Sequence, residues 1–446
     1  MDLLVRNGLL VVGSEVFYGD IAVSQGKIAA LGSDLSGFQA SRVIDAEKRL
    51  VTPGGVDVHA HLQYHVGGFD TADDFANGTL AALYGGTTTT MDFVETLPEE
   101  SFAAALERRK AQAQEGIYTD FSLHMSMLPH DLGKLEQVEH LIIDGCPTFK
   151  HYMAYGFALD DGQLYRSFNA IAQGHGLAVV HAENWSLIQE FVRRALLEGK
   201  SHARNHLHCR PAKAEAEAVH RVLEIARLSG VEVFLFHQSC GEDIPEIQAA
   251  RERGQVVYAE TCPHYFALDS SVFEALGSIP ICSPPIRESG QQKPIYEALL
   301  NGRLDSVSSD HCPFTKDEKE SAPAFNKVPG GLSSIETRMM LTKDIPGMSL
   351  PRWVEVCCSN PAHIVGLNEK GQLQVGFDAD IVIWSREPYV ISAKKLHEQA
   401  DWSTYEGRCV SAHPEIVVSR GEVVIENGQF KASKGRGRYL NRHLKH

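Results

Sequence analysis

The chain has 446 residues, 43% hydrophobic and 22% charged, a balance that fits a soluble globular protein with a large core and excludes a disordered one. With 57 acidic and 42 basic side chains the net charge is −15, which repels phosphate backbones and excludes nucleic acid as a general partner. No apolar stretch approaches the ~20 residues of a membrane helix, so no membrane partner is expected.

The opening MDLLVRNGLLVVG has too short an apolar run for a signal peptide. Nine scattered cysteines, odd in number and without a CxxC pair, fit reduced thiols better than a disulfide framework. Together these features predict a cytoplasmic protein. The first 50 residues read as short strands (LLVRNGLLVV, DIAVSQGKIAAL, SRVIDAEKRLVT), with Gly8, Gly13, Gly19, Gly26 and Gly32 in the rhythm of hairpin turns. The far end repeats the style in GQLQVGFDADIVIW and PEIVVSRGEVVIENGQF. One small β domain from residues 1–52 and 371–446 is therefore expected. The tail from Lys431 to His446 is locally basic and reads as a solvated or subunit-wrapping terminus.

Between them, residues 53–370 alternate. The strand candidates are VDVHAHL, TTTTMDFV, DFSLHMSM, TFKHYMAY, LAVVHAEN, VEVFLFHQS, QVVYAETC and LDSVSSDH. Helical patterns lie between them, among them PEESFAAALERRKAQAQEG, GQLYRSFNAIAQGHG and AEAEAVHRVLEIARLSG. Pro98 is expected to open the first of these helices, and Gly116 and Gly174 to stop two of them. Eight strand–helix repeats over about 260 residues predict an α/β fold, a (β/α)8 TIM barrel. An open doubly wound sheet fits less well, because no glycine-rich phosphate turn follows the first strand.

Barrel enzymes build their sites where the C-terminal ends of the strands converge. Here His59 and His61 end the first strand, Lys150 lies in the fourth, and His181, His237 and Asp310 end the fifth, sixth and eighth. Two residues apart on a strand, His59 and His61 share a face. Alone they are as readily ordinary strand histidines. With His181, His237 and Asp310 at sister positions they predict a divalent metal centre, zinc first, with manganese or iron also suited to imidazole and carboxylate. A lysine among such ligands would repel the metal as an ammonium. As a neutral amine, Lys150 can instead take up carbon dioxide as a carbamate, whose two oxygens can bridge two ions; TFK seen alone reads as a lysine in an ion pair.

The stretches VTPGGVDVHAHL, GGTTTTMDF, TFKHYMAY, VVHAEN, FLFHQSC, CSPPIR, SSDHCPF, SNPAHIVGL and GFDADIVIW resemble those of the dihydropyrimidinase/hydantoinase family of cyclic amidohydrolases over essentially the whole chain. The resemblance implies a β-sandwich from the two chain ends beside the barrel. It also implies two metals bridged by N6-carboxylated Lys150, one held by His59, His61 and Asp310 and the other by His181 and His237. A metal-bridging hydroxide would open a dihydropyrimidine or 5-substituted hydantoin to an N-carbamoyl amino acid, with Asp310 shuttling the proton. Tyr155 would stabilise the oxyanion, and the backbone at Ser283 and Ser333 would read the substrate imide. Members of that family are commonly homotetramers, so a homo-oligomer, tetramer or dimer, is expected.

Two departures fall in the substrate pocket. HLQYHVGGF places Gln63, Tyr64 and His65 after the first strand, and GGLSSIE places Ser333 where an asparagine is usual. Tyr64 and Val66 would wall a substituent, or Tyr64 would simply pack on a neighbouring loop. Allantoinase is the alternative reading. Dihydroorotase is disfavoured because Leu62 and Gln63, not an arginine, follow His61. The non-enzymatic collapsin response mediator scaffolds lack the metal ligands retained here.

Overall fold

The strand–helix alternation of the middle segment produces parallel strands, because each helix carries the chain back to the start of the sheet. The computed structural model describes residues 1–445; His446, the last residue of the basic tail, lies outside the described residues. The barrel strands are β1 (Gly55–Asp57), β2 (Thr87–Val94), β3 (Asp120–Ser126), β4 (Thr148–Tyr152), β5 (Leu177–His181), β6 (Glu232–Leu235), β7 (Val257–Thr261) and β8 (Ser306–Val307). Each pairs with the next in sequence. The ring closes through an Ala60–His311 bridge, a His61 N–H bond to the His311 carbonyl at 2.7 Å, and a Ser309 N–H bond to Asp57 at 3.0 Å. The expected barrel is the fold.

Strands and helices differ from the sequence expectation at their ends. LDSVSSDH pairs only over Ser306–Val307, and VDVHAHL has left the ladder by Val58. The helix expected to open at Pro98 begins at Phe102, where Ser101 accepts the Ala104 N–H at 3.2 Å. A hydroxyl cap satisfies an orphan amide, which Pro98 three residues earlier in a turn cannot do. That helix ends at Gln114, just before Gly116, and Gly174 caps the helix Asp161–Gln173 as expected.

The two chain ends build one nine-stranded sheet, joined where Leu50–Pro53 pairs antiparallel with Ile381–Trp384. A bulge between Val5 and Gly8 lets the strand Leu3–Val12 pair with Arg42–Asp45 along its first half and with Leu50–Pro53 along its second. Leu10, Ile21, Val51, Ile381 and Val418 fill the core that this sheet encloses. Gly13 and Gly26 are the turn glycines, at φ 56° and 76°. Gly8 and Gly19 instead sit inside strands, where a Cβ on Gly8 would meet Val51 at 2.6 Å.

Not all of the chain beyond residue 371 joins that sheet. Glu398, Trp402 and Tyr405 bond barrel-loop residues Ser333, Phe314 and Ser334. The basic tail is exposed at Lys431, Lys434, Arg438 and Lys445, as expected of a solvated terminus, but part of it docks on the barrel. Arg442 is fully buried against this chain's own barrel, donating to Ser122 Oγ at 2.7 Å and to the Leu123 and Val365 carbonyls. Among the described residues no helix is long and apolar enough to cross a membrane.

Candidate metal centre and active site

Alternation along β5 puts Leu177, Val179 and His181 on one face. Leu177 and Val179 pack with Phe93, Phe234 and Phe236 inside the barrel, leaving His181 at the mouth. After β6 and β8 the alternation breaks, because His237 and Asp310 adopt left-handed backbone, at φ 44° and 48°. Tyr155, beyond β4, does the same at φ 74°. Such conformations cost on the order of 1–3 kcal/mol each and persist only where the surrounding fold holds them. Here they turn three polar side chains into one cleft.

Two donor groups result. His59 Nε2 and His61 Nε2 face the same Asp310 oxygen, at 3.0 and 3.3 Å. The donor atoms of His59, His61 and Asp310 all lie within 4.8 Å of one another, a spacing that suits one cation. Beside them, His181 Nδ1 stands 2.9 Å from His237 Nε2. The His59 and His237 rings are 5.4 Å apart, so the groups are neighbours. Nδ1 of His61 and of His237 is buried without a hydrogen-bond partner among the described residues. Burial lowers the His61 imidazole to about 4 despite Asp310, and burial with His181 holds His237 well below its usual range. Burial opposes ionisation of Asp310 too, but His59 and His61 keep its carboxyl well below the usual value. His61, His181 and His237 are thus held neutral beside an ionised carboxylate, the states that a divalent ion requires, whereas at His59 burial is outweighed by Asp310 and Glu260, which raise the imidazole above its usual value.

Lys150 is close enough to both groups that, as a cation, it disfavours protonation of His59, His61, His181 and His237 alike. Its Nζ sits 4.2 Å from the Phe236 ring centroid. Burial lowers the ammonium to about 7, while Asp310 and Glu260 pull it up. A buried lysine that titrates near neutrality is an unhydrated, reactive amine.

Three supporting residues complete the site, and none had been singled out in the sequence. Glu260, at the end of β7, accepts from His59 Nδ1 at 2.7 Å and from Ser308 Oγ at 2.5 Å. Glu183 contacts His181 Nε2 at 2.8 Å and pairs with Arg210. Burial opposes ionisation of Glu183, but Arg210 and His181 hold it at about 2. These contacts leave His59 Nε2 and His181 Nδ1 as the edges that face the cleft. The available signals were a carboxylate at the one late strand without a candidate and a glutamate two residues after His181.

The cleft opens into a cavity of about 1070 Å³. Tyr155 lines it beside His181 and Arg210, its phenol pushed up by burial while Arg210 pulls it down. Ser283 lines it also, its Oγ 3.3 Å from His206 Nε2. Tyr64 lies against His61, with ring centroids 5.3 Å apart, and its hydroxyl donates to Glu95. Val66 and Phe69, on the small hairpin that follows, overhang the same space. The structure does not bring every predicted residue there. Ser333 is buried with its hydroxyl turned to Glu398, and Gly330 and Gly331 line the cavity instead. Gln63 is exposed, and His65 is exposed with its ring bonded to Asp70. Phe157 lines the cavity as well, as do Trp185, Ile188 and Val192, with Gln189 and Arg193 of the same helix among them.

This barrel, with its donors gathered at the strand ends, has counterparts among known hydrolases. Residues 50–424 match the amidohydrolase family, and the chain belongs to it. It is 36% identical to a D-hydantoinase of Streptomyces coelicolor over 98% of this chain and 97% of that protein. It is also 36% identical to a D-hydantoinase of Geobacillus stearothermophilus, over 99% and 97%. Among solved structures, a dihydropyrimidinase from Brevibacillus agri superposes with a TM-score of 0.95 at 35% identity, covering 99% of both chains. An L-hydantoinase (dihydropyrimidinase) from Arthrobacter aurescens does so at 0.92 and 30%, covering 99% of this chain and all of that one.

Proposed function

We propose that the chain hydrolyses the amide bond of a dihydropyrimidine or 5-substituted hydantoin ring, giving an N-carbamoyl amino acid. The convergence of His59, His61 and Asp310 beside the His181–His237 pair, at the base of the cavity, carries this reading. His59, His61 and Asp310 would hold one divalent ion and His181 and His237 another, zinc first, with manganese or iron also compatible. Neutral Lys150 would add carbon dioxide at Nζ, releasing one proton and giving a carbamate anion with an oxygen for each ion. When bound, the ions supply Lewis acidity that lowers the pKa of water and polarises a carbonyl.

The chain's own groups do the rest. Asp310 accepts the proton of the attacking water and returns it to the ring nitrogen as the C–N bond breaks. Tyr155 donates to the oxygen on which charge develops. Backbone groups around Ser283 and Gly330 read the imide edge, including the segment that leads to Ser333. The substituent lies against Tyr64, Val66 and Phe69 or against Trp185, which favours alkyl and aryl groups over a ureido group. The proposed setting is a cytoplasmic homo-oligomer, dimer or tetramer; nine unpaired cysteines, only Cys409 of them exposed, support a reducing compartment. The test is a ring-opening screen of dihydrouracil, 5-substituted hydantoins and allantoin with metal-replete enzyme. Turnover of allantoin alone would replace the assignment.

A further inference from the structure

Lys319 is fully buried, yet its Nζ donates to main-chain carbonyls rather than to a carboxylate: those of Ile281 and Pro329, each at 2.9 Å. The Trp402 ring lies 5.5 Å away, fixed by its own bond to the Phe314 carbonyl at 2.8 Å. Burial pushes this ammonium down to about 7, with Cys282 and Cys312 pulling it up. A buried cation on neutral acceptors is costly, and an apolar side chain would pack there without that penalty. What the lysine achieves must therefore be sought in the two segments that it joins.

Ile281 stands two residues before Ser283, which lines the cavity, and Pro329 stands directly before Gly330 and Gly331, which line it too. A Cβ on Gly330 would lie 4.0 Å from Ser283 Oγ, so the two segments face each other across a slot. The Ile281 carbonyl also accepts the Gly331 N–H at 3.0 Å. One carbonyl therefore ties both Lys319 and the opposite segment. Gly331 is pressed onto the turn after Asp310 so closely that a Cβ there would strike the Cys312 carbonyl at 2.1 Å. The slot's two sides and the turn carrying Asp310 thus share one clip.

We propose that Lys319 is a positioning residue that sets the separation of the Ser283 and Gly330 segments, and so shapes the edge that binds the imide of the ring. The assignment of that edge rests on the function proposed above. Lys319→Met keeps the length and volume of the side chain but removes its donors. The expected result is a KM for a 5-substituted hydantoin raised about tenfold, the worth of one charge-assisted hydrogen bond, with kcat within about threefold and metal content unchanged. Amide exchange over residues 280–284 and 329–332 should quicken in the variant while the barrel strands keep their protection. A lowered melting temperature with wild-type KM and exchange in both segments would overturn the proposal.

Lys319→Gln, which retains an N–H donor, should fall between wild type and the methionine variant. Should neither variant fold, exchange in the wild-type protein decides: a Gly331 amide that exchanges as fast as exposed loops contradicts the clip. Wild-type enzyme that opens no cyclic amide would remove the functional reading, while the exchange experiment would still decide whether Lys319 fixes the slot.

Discussion

Glu260→Gln removes one negative charge 2.7 Å from His59 Nδ1 while keeping the shape of the side chain. Glu260 is fully buried and bonded on its other side to Ser308, so the amide has no water to substitute for the lost charge. Hydrogen bonds to charged groups contribute about 1.5–3 kcal/mol and neutral ones about 0.5–1.5, so the contact loses on the order of 1–1.5 kcal/mol. His59 becomes a less basic donor and is less firmly oriented towards Asp310. The expected consequence is about tenfold weaker binding of the ion at the His59–His61–Asp310 set, the lower end of the range for carboxylates that support a metal ligand. The assay is competition with a chromogenic chelator at fixed pH, with circular dichroism to confirm the fold. Equal affinity in the two proteins would refute the claim that Glu260 tunes His59.

Three further outcomes are expected. Tyr155→Phe should lower kcat by the equivalent of about 2–4 kcal/mol with little change in KM, and wild-type turnover would remove Tyr155 from the chemistry. Tyr64→Ala should reduce kcat/KM for bulky 5-substituted hydantoins more than for dihydrouracil; equal losses would make Tyr64, already bonded to Glu95, a loop anchor. Burial raises the Glu398 carboxyl to about 7, with His311 lowering it and Glu336 raising it. The folded chain therefore holds a proton that the unfolded chain releases near 4.5. The resulting stabilisation is complete below that pH, is lost as pH rises through 7, and amounts to up to about 3 kcal/mol. Glu398→Gln should flatten the fall in melting temperature between pH 5 and 8, and an unchanged slope would contradict the argument.

Much of this molecule was legible because strand periodicity and strand ends carry information locally. The barrel followed from eight alternations, and the six polar groups from their places near the ends of five strands. What was not legible depended on partners far apart in the chain. Glu260 is 201 residues from His59, and nothing in YAETC marks the glutamate as the partner of that imidazole. Arg442 reads as tail charge until its bonds to Ser122 and Leu123 are seen. Ser333 could be placed by motif, but not the turn of its hydroxyl towards Glu398, because that depends on a segment that returns to the barrel from beyond residue 385. The left-handed backbone at His237 and Asp310 has no composition signal either, since glycine would be the usual residue there.

If ring opening depends on two ions held by the donors at the barrel mouth, stripping the protein with chelator and titrating zinc back in bicarbonate-containing buffer will show it. Bound metal and turnover of a 5-substituted hydantoin are followed together. Activity should be absent in the stripped chain and return in full at two equivalents per chain. Lys150→Arg should neither retain two ions nor recover turnover, because a guanidinium cannot form the carbamate. Full turnover by the stripped enzyme, or a metallated and active Lys150→Arg variant, would contradict that dependence.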